Sequence, residues 1–195
     1  MGAKKIQWKP GNMLYPAPAV MVSCGRPDEK PNIITVAWAG TICSDPAMLS
    51  ISIRPERYSY GIIKDTGEFV VNLTTEKLVR AADFCGVRSG RYIDKFAQTG
   101  LTPARSSMLE HAQIITESPV NIECCVAEVK PLGSHDLFLA EVVCVDVDEE
   151  FMDDKGRFDL NAAGLAVYSH GIYMSLGKQL GTFGFSVRKK TGKKR

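Results

Sequence analysis

From Met48 to Arg54 the chain alternates strictly. Leu49, Ile51 and Ile53 point one way, and Ser50, Ser52 and Arg54 point the other. Side chains alternate faces along a strand, so this pattern predicts a strand with one polar face. Further strands are predicted at Ala17–Cys24, Asn32–Cys43, Glu68–Leu73, Val120–Val129 and Leu137–Val147. A polar turn, Gly25 to Pro31, makes the first two a hairpin, and Pro131 to Asp136 makes the last two another. In the fifth of these strands Val120, Ile122, Cys124 and Val126 share a face. Short helices are predicted over Glu56–Lys64, closed by Thr66-Gly67, over Thr75–Phe84 with Thr74 or Thr75 as N-cap, and over Ile93–Thr99. The rest of 85–119 lacks periodicity and reads as loop. Residues 149–159 are acidic and turn-like, and 162–186 are Gly-rich and aromatic.

This order predicts a mainly β, α+β protein: a closed antiparallel barrel with peripheral helices. One domain over 1–195 is expected, with an N-terminal arm (1–16) and a basic tail (187–195). A doubly wound parallel sheet is disfavoured, because βα alternation fails after residue 85 and no G-x-G-x-x-G or Walker sequence is present.

Composition narrows the class. The 195 residues are 45% hydrophobic and 24% charged, ordinary for a globular protein. The net charge of +2 does not by itself imply nucleic acid. The six cysteines form no C-x-x-C pair and sit mostly in apolar runs, which predicts reduced thiols and a cytoplasmic protein. Cys124 and Cys125 are adjacent in a strand, so one is expected in the core and the other partly exposed. Three scattered histidines predict no metal site, and His111 and His170 read as structural. The first residues lack the apolar run of a signal peptide, and no apolar stretch reaches 18 residues, so no membrane association is expected.

The candidate chemistry gathers around residues 32–59. Small residues there (Ala37, Ala39, Gly40, Thr41, Ser50, Ser52) surround Trp38 and let another group approach the backbone. A flat aromatic ligand along the first strand and a phosphate at the second strand's exit fit that pattern. Arg54, Arg57, Ser59 and Tyr60 lie where a strand gives way to a helix. Arg pairs with phosphate oxygens, and a helix start offers free N–H groups; a solvated corner is the competing reading. Lys95 follows a Ser89-Gly90 loop and either reaches a phosphate or sits exposed beside Asp94. His135, in a Gly-Ser-His-Asp turn, either meets a ligand or is held by its neighbours. No Ser/His/Asp order, carboxylate pair or metal cluster stands out, which points to a bound cofactor carrying the chemistry. A barrel without such a cofactor, binding nucleic acid through its tail, is the reading from another class; the near-neutral charge counts against it.

Taken in order, Asn32-Ile-Ile-Thr-Val-Ala-Trp38, Cys43-Ser-Asp-Pro46, Ile53-Arg-Pro-Glu-Arg-Tyr-Ser59, Thr66-Gly-Glu-Phe-Val-Val-Asn72, Ser89-Gly-Arg-Tyr-Ile-Asp-Lys-Phe96, Gly133-Ser-His-Asp136 and the Gly-rich end from Tyr173 to Phe185 resemble the flavin reductase-like family of FMN-binding split barrels, and within it the flavoredoxins most. The resemblance implies a six-stranded antiparallel Greek-key split barrel, a homodimer, and noncovalent FMN near the subunit interface. It places Asn32 and Trp38 on the flavin-contacting strand, and backbone groups of Ala37, Ala39 and Thr41 at the polar edge of the ring. Ser59, Arg57 and Tyr60 match the phosphate corner, Lys95 the lysine that reaches FMN, and Tyr168 an aromatic beside the ring. His135 matches the catalytic turn that nicotinamide approaches, here Gly-Ser-His-Asp where the family has Gly-Asp-His. The activity implied is electron transfer through FMN, from NAD(P)H to a flavin, a ferric chelate or a redox protein. The alternative is a flavoredoxin-type carrier with little NAD(P)H activity of its own.

Overall fold

The alternating run around Ile51 forms the middle of one arm of a curled antiparallel sheet. The computed structural model describes residues 3–188, so most of the basic tail lies outside the described residues. In chain order the strands are β1 (Ala17–Pro18), β2 (Val20–Cys24), β3 (Asn32–Val36), β4 (Ala39–Ser44), β5 (Ala47–Ile53), β6 (Glu68–Asn72), β7 (Pro103–Arg105), β8 (Gln113–Ile115), β9 (Val120–Pro131), β10 (Asp136–Val147), β11 (Ala166–Ser169) and β12 (Ile172–Ser175). The main sheet runs β3-β2-β6-β9-β10-β5-β4, with β1-β11-β12 and β7-β8 as smaller sheets.

The fold is the expected split barrel, with seven strands in its main sheet where six were expected. The difference lies at Ala37-Trp38. One strand was expected over Asn32–Cys43, but a bend there ends β3 and starts β4. Ser52 N–H donates to Trp38 O across 2.9 Å, so the bend is tied to β5 and the sheet curls toward closure at this point. Asp45-Pro46 forms the two-residue turn between β4 and β5.

Leu49, Ile51 and Ile53 are buried as their alternation predicts, and pack with Phe69 and Phe138 and with Ile62 and Ile63 of α1 (Tyr58–Thr66). Gly67 stops that helix with φ 71°, a left-handed conformation that costs glycine little, and its N–H reaches Ile63 O. On the other face of β2 and β3, Met21 and Ile33 meet Leu78, Ala82 and Cys85 from the second helical segment and Phe96 from the third. The second segment is one 3₁₀ turn followed by α2 (Val79–Val87); Thr75 precedes it without a side-chain capping bond. The third, α3 (Lys95–Thr99), is capped by Asp94, whose carboxylate accepts Ala97 N–H at 3.1 Å. Cys124 is in the core and Cys125 half-buried, as adjacent strand positions require. Among the described residues, no helix is long and apolar enough to cross a membrane.

The stretch expected to be loop contains the hairpin β7–β8, which packs Leu109, Ala112 and Ile115 into apolar clusters and is also held on β6 and β9 by polar groups. Glu68 accepts the backbone N–H groups of Glu110, His111 and Ala112 at 3.2, 2.7 and 3.2 Å. Glu123, fully buried, accepts those of Ser107, Met108 and Leu109 at 2.6, 2.8 and 3.2 Å. Six consecutive N–H groups are thus held by two carboxylates on neighbouring strands. Asn72 and Asn121 continue the seam by bonding Ile115 N–H and Ile115 O. The buried apolar residues here, Leu109, Ala112 and Ile115, follow no strand or helix period, which is why the pattern did not reveal the hairpin.

Candidate functional site

Three compartments lie in succession along β3 and past its bend, each sharing lining residues with the next. The first, about 290 Å³, lies between β3, the start of α1, the end of α2 and the start of α3. It is lined by Asn32, Arg57, Ser59, Arg88, Ser89 and Lys95, among others. Arg57 and Ile34 also line the second, of about 160 Å³, beneath Trp38 and His135 with Arg54 at its edge. Ala37, Trp38 and Ser52 connect this to a third of about 700 Å³, framed by residues 11–18 of the arm and by Ala39 and Gly40.

The first compartment has the donor set of an anion site. Lys95 is only 3% exposed. Its Nζ donates to Ile33 O at 2.6 Å and Cys85 O at 2.7 Å, leaving the third N–H for the cleft it lines. Burial pulls its pKa down to about 8. The neighbouring Cys24 and Cys85 thiols are pushed up to about 12 and about 11 by burial, so neither supplies a negative charge near neutral pH. Among the described residues no carboxylate pairs with Lys95. A buried cation without a counter-charge is costly, and an incoming dianion relieves that cost.

The rest of the cleft is consistent with an anion. Arg57 is the residue before α1 and makes no side-chain capping bond; Tyr60 N–H donates to Arg57 O, which leaves the Tyr58 and Ser59 N–H groups available. Ser59 is the second residue of α1 and not its cap. Its Oγ accepts from Asn32 Nδ2 at 2.7 Å, leaving the hydroxyl proton to donate. The 88–90 loop comes so close that a Cβ on Gly90 would sit 2.0 Å from Asn32 Oδ1. Glycine is therefore required there for the loop to close over Asn32.

Further along, Trp38 is 41% exposed, a large flat surface on the groove wall. The His135 ring lies against it, centroids 4.4 Å apart with the planes at 46°. Ser134 Oγ is 2.9 Å from His135 Nδ1. Burial and then Arg54 push the His135 pKa down, which favours a neutral imidazole.

Most of the residues expected at the site converge here: Asn32, Ala37, Trp38, Ala39, Arg57, Ser59, Lys95 and His135 all line the groove. Asn32 lines the first compartment with Ser59 and Lys95, whereas Trp38 lines the second and third. Lys95 is buried instead of exposed beside Asp94, which is occupied by the α3 cap and Lys30. Three residues lie elsewhere in the chain's own fold. Thr41 is exposed on β4. Tyr60 points away from the cleft and donates to Asp136. Tyr168 pairs edge-on with Tyr15 and Tyr173, at 6.2 and 5.4 Å, in the small sheet. Arg88 and Gly90 were not anticipated as site residues, and the Ser89-Gly90 pair was their one visible signal. Glu123, Cys144 and Asp146 bring donor atoms within 4.8 Å of one another, but both Glu123 oxygens already hold backbone N–H groups of the clamp.

Known proteins share this architecture. Flavoredoxin of Desulfovibrio vulgaris (Miyazaki F) is 30% identical and superposes with a TM-score of 0.87, covering 95% of this chain and all of that one. Flavoredoxin from Methanosarcina acetivorans, at 24% identity, gives 0.85 over 95% of this chain and all of that one. An uncharacterised protein of Archaeoglobus fulgidus is 31% identical over 169 residues, 87% of this chain and 89% of its own length. The flavin reductase like domain matches residues 12–177. A split barrel with a cationic cleft leading to a flat aromatic wall, matched over most of its length, places the chain in the flavin reductase-like family of flavin-binding proteins.

Proposed function

We propose that this protein is an FMN-dependent oxidoreductase that binds its cofactor noncovalently and passes electrons from NAD(P)H to a flavin, a ferric chelate or a redox protein. The buried, counter-charge-free Lys95 at one end of a groove walled by Trp38 carries this reading. A phosphate monoester and a flat heteroaromatic ring joined by a polyol chain match the cationic cleft, the narrow second compartment and the Trp38 wall. Bound there, FMN supplies a carrier that accepts a hydride and releases electrons singly or in pairs. Lys95, Arg57 and Ser59 hold the phosphate, and backbone groups at Ala37 to Ala39 meet the ring. The neutral His135, held against Trp38, stands at the mouth where the nicotinamide approaches.

We further propose a homodimer. β5 pairs with β10 only as far as Glu141, so the later part of β10 presents an edge to which β5 does not extend. Val143, Val145 and Val147 are exposed along it. On this reading Thr41 and Tyr168, which do not line this chain's own groove, would reach a flavin site only across a subunit interface.

The Gly-Ser-His-Asp turn and the 30% identity to a flavoredoxin favour, as the second reading, a carrier with little NAD(P)H reaction of its own. Reconstitution with FMN followed by anaerobic mixing with NADH or NADPH decides between them. Bleaching of the bound flavin within seconds is the result expected of a reductase. Bleaching only by a reduced protein donor supports the carrier, and no bound flavin after reconstitution refutes both.

Gly90→Ala is expected to weaken FMN binding by about 10-fold. The added Cβ displaces Asn32 and with it one polar contact in the cleft, worth about 1–1.5 kcal/mol, while the overpacking itself lowers stability by about 1–3 kcal/mol. Calorimetric titration checks this, and unchanged affinity would remove the 88–90 loop from the phosphate site.

A further inference from the structure

Tyr60 follows Ser59 on α1, yet the turn of the helix gives it a different face. Its hydroxyl donates to Asp136 Oδ2 at 2.6 Å. Its ring meets Phe138 edge-on, centroids 5.4 Å apart and planes at 77°. Asp136 is buried and opens β10, where its register is set by Ile53 of β5 and Pro131 of β9. It is also the first residue after the hairpin tip.

That tip is lightly held. Leu132 N–H donates to His135 O at 3.0 Å, and Ser134 Oγ touches His135 Nδ1, both within the tip itself. Leu132, Gly133 and Ser134 are exposed. What lies behind His135 is the Tyr60–Asp136 bond, a hydroxyl-to-carboxylate bond of the charge-assisted kind. Neighbours in an extended segment point to opposite sides, so Asp136 does not orient the imidazole by touching it. It fixes the backbone from which the imidazole hangs. This gives a physical sense to the order Gly-Ser-His-Asp: the carboxylate anchors the turn to α1, and the serine hydroxyl is what contacts the ring.

We infer that Tyr60, acting through Asp136, is a positioning residue that holds His135 against Trp38 and so couples the helix of the anion site to the hairpin that carries the imidazole. The kinetic consequence rests on the flavin reading; the geometric one does not. The charged groups facing His135 are Arg54, Arg57 and Glu56, none of which is altered by changes at Tyr60.

The test uses NMR of the apoprotein, with the His135 ring resonance identified by its loss in His135→Ala. In the wild type this resonance is expected to be displaced by the Trp38 ring current and to titrate below the ordinary histidine value. Tyr60→Phe keeps the ring against Phe138 and removes the hydroxyl. It should abolish most of the ring-current displacement and raise the titration midpoint toward the ordinary value. Asp136→Asn, which keeps an oxygen acceptor for Tyr60, should retain the displacement, and Asp136→Ala should lose it. In FMN-loaded protein, Tyr60→Phe should slow flavin reduction by about 10-fold while FMN affinity stays within about twofold. If Tyr60→Phe and Asp136→Ala both leave the His135 resonance and its midpoint unchanged, the inference is overturned, whether or not FMN binds. A slowed reduction with an unchanged His135 resonance also overturns it, because the effect then travels by another route.

Discussion

Lys95→Met is expected to reduce FMN affinity by about 10- to 100-fold, the loss of one charge-assisted bond of about 1.5–3 kcal/mol to a phosphate. The folded state should survive, because two opposing changes offset each other. Ile33 O and Cys85 O lose their donor, but a desolvated ammonium without a counter-charge is also removed. The Cys85 carbonyl lies in the last turn of α2, so Lys95 is in addition a cation at that helix's C-terminus.

The same group predicts opposite pH dependences for binding and for stability. With its folded pKa near 8, Lys95 loses its charge in the apoprotein above that pH, and FMN affinity should fall between pH 7 and 9.5. Between about 8 and the ordinary 10.5 the unfolded chain holds this proton and the folded chain does not. The unfolded state then binds more protons, so the contribution of Lys95 to apoprotein stability rises with pH in that window. Titrating FMN at several pH values, and melting the apoprotein at the same ones, tests both slopes. Lys95→Met should flatten them, and equal slopes in the variant and the wild type would assign the dependence to other groups.

The second large effect concerns stability. Glu123→Ala strips the acceptor from three N–H groups of residues 107–109 beneath a folded loop. A loss of about 3–5 kcal/mol is expected, the range for breaking a buried charged network. For a chain of this size that lowers Tm by roughly 6–20 °C. Glu123→Gln keeps one acceptor oxygen and should fall between. FMN affinity should hold, since none of these residues lines the groove. A Tm drop below about 2 °C in Glu123→Ala would mean that water replaces the carboxylate at little cost.

The elements legible in advance are those whose signal is local and apolar. The Leu49, Ile51, Ile53 alternation, the stop at Gly67, and the long hairpin on either side of Gly133 each follow from period, glycine conformation or turn chemistry. The carboxylate clamp was hidden because its signal is two glutamates, and glutamates in a strand ordinarily read as solvent-facing. The same rule makes Lys95 look exposed. Its burial comes from Ile33, 62 residues away, and Cys85, 10 residues away, whose carbonyls it caps. Tyr60 was assigned to the phosphate corner because it adjoins Ser59. A helix turns about 100° per residue, and that rotation puts Tyr60 on a different face from Ser59, toward Asp136.

The sequence by itself determined the long strands of the main sheet and the family resemblance, because these rest on periodicity and on motifs read in order. Only the tertiary structure decided where that wall bends, at Ala37-Trp38, and which cation is buried. It also decided that Asn32 shares a compartment with Ser59 and Lys95, and that Asp136 is tied to α1. Those outcomes depend on contacts between residues far apart in the chain, where burial and hydrogen-bond partners are set by packing and not by neighbours.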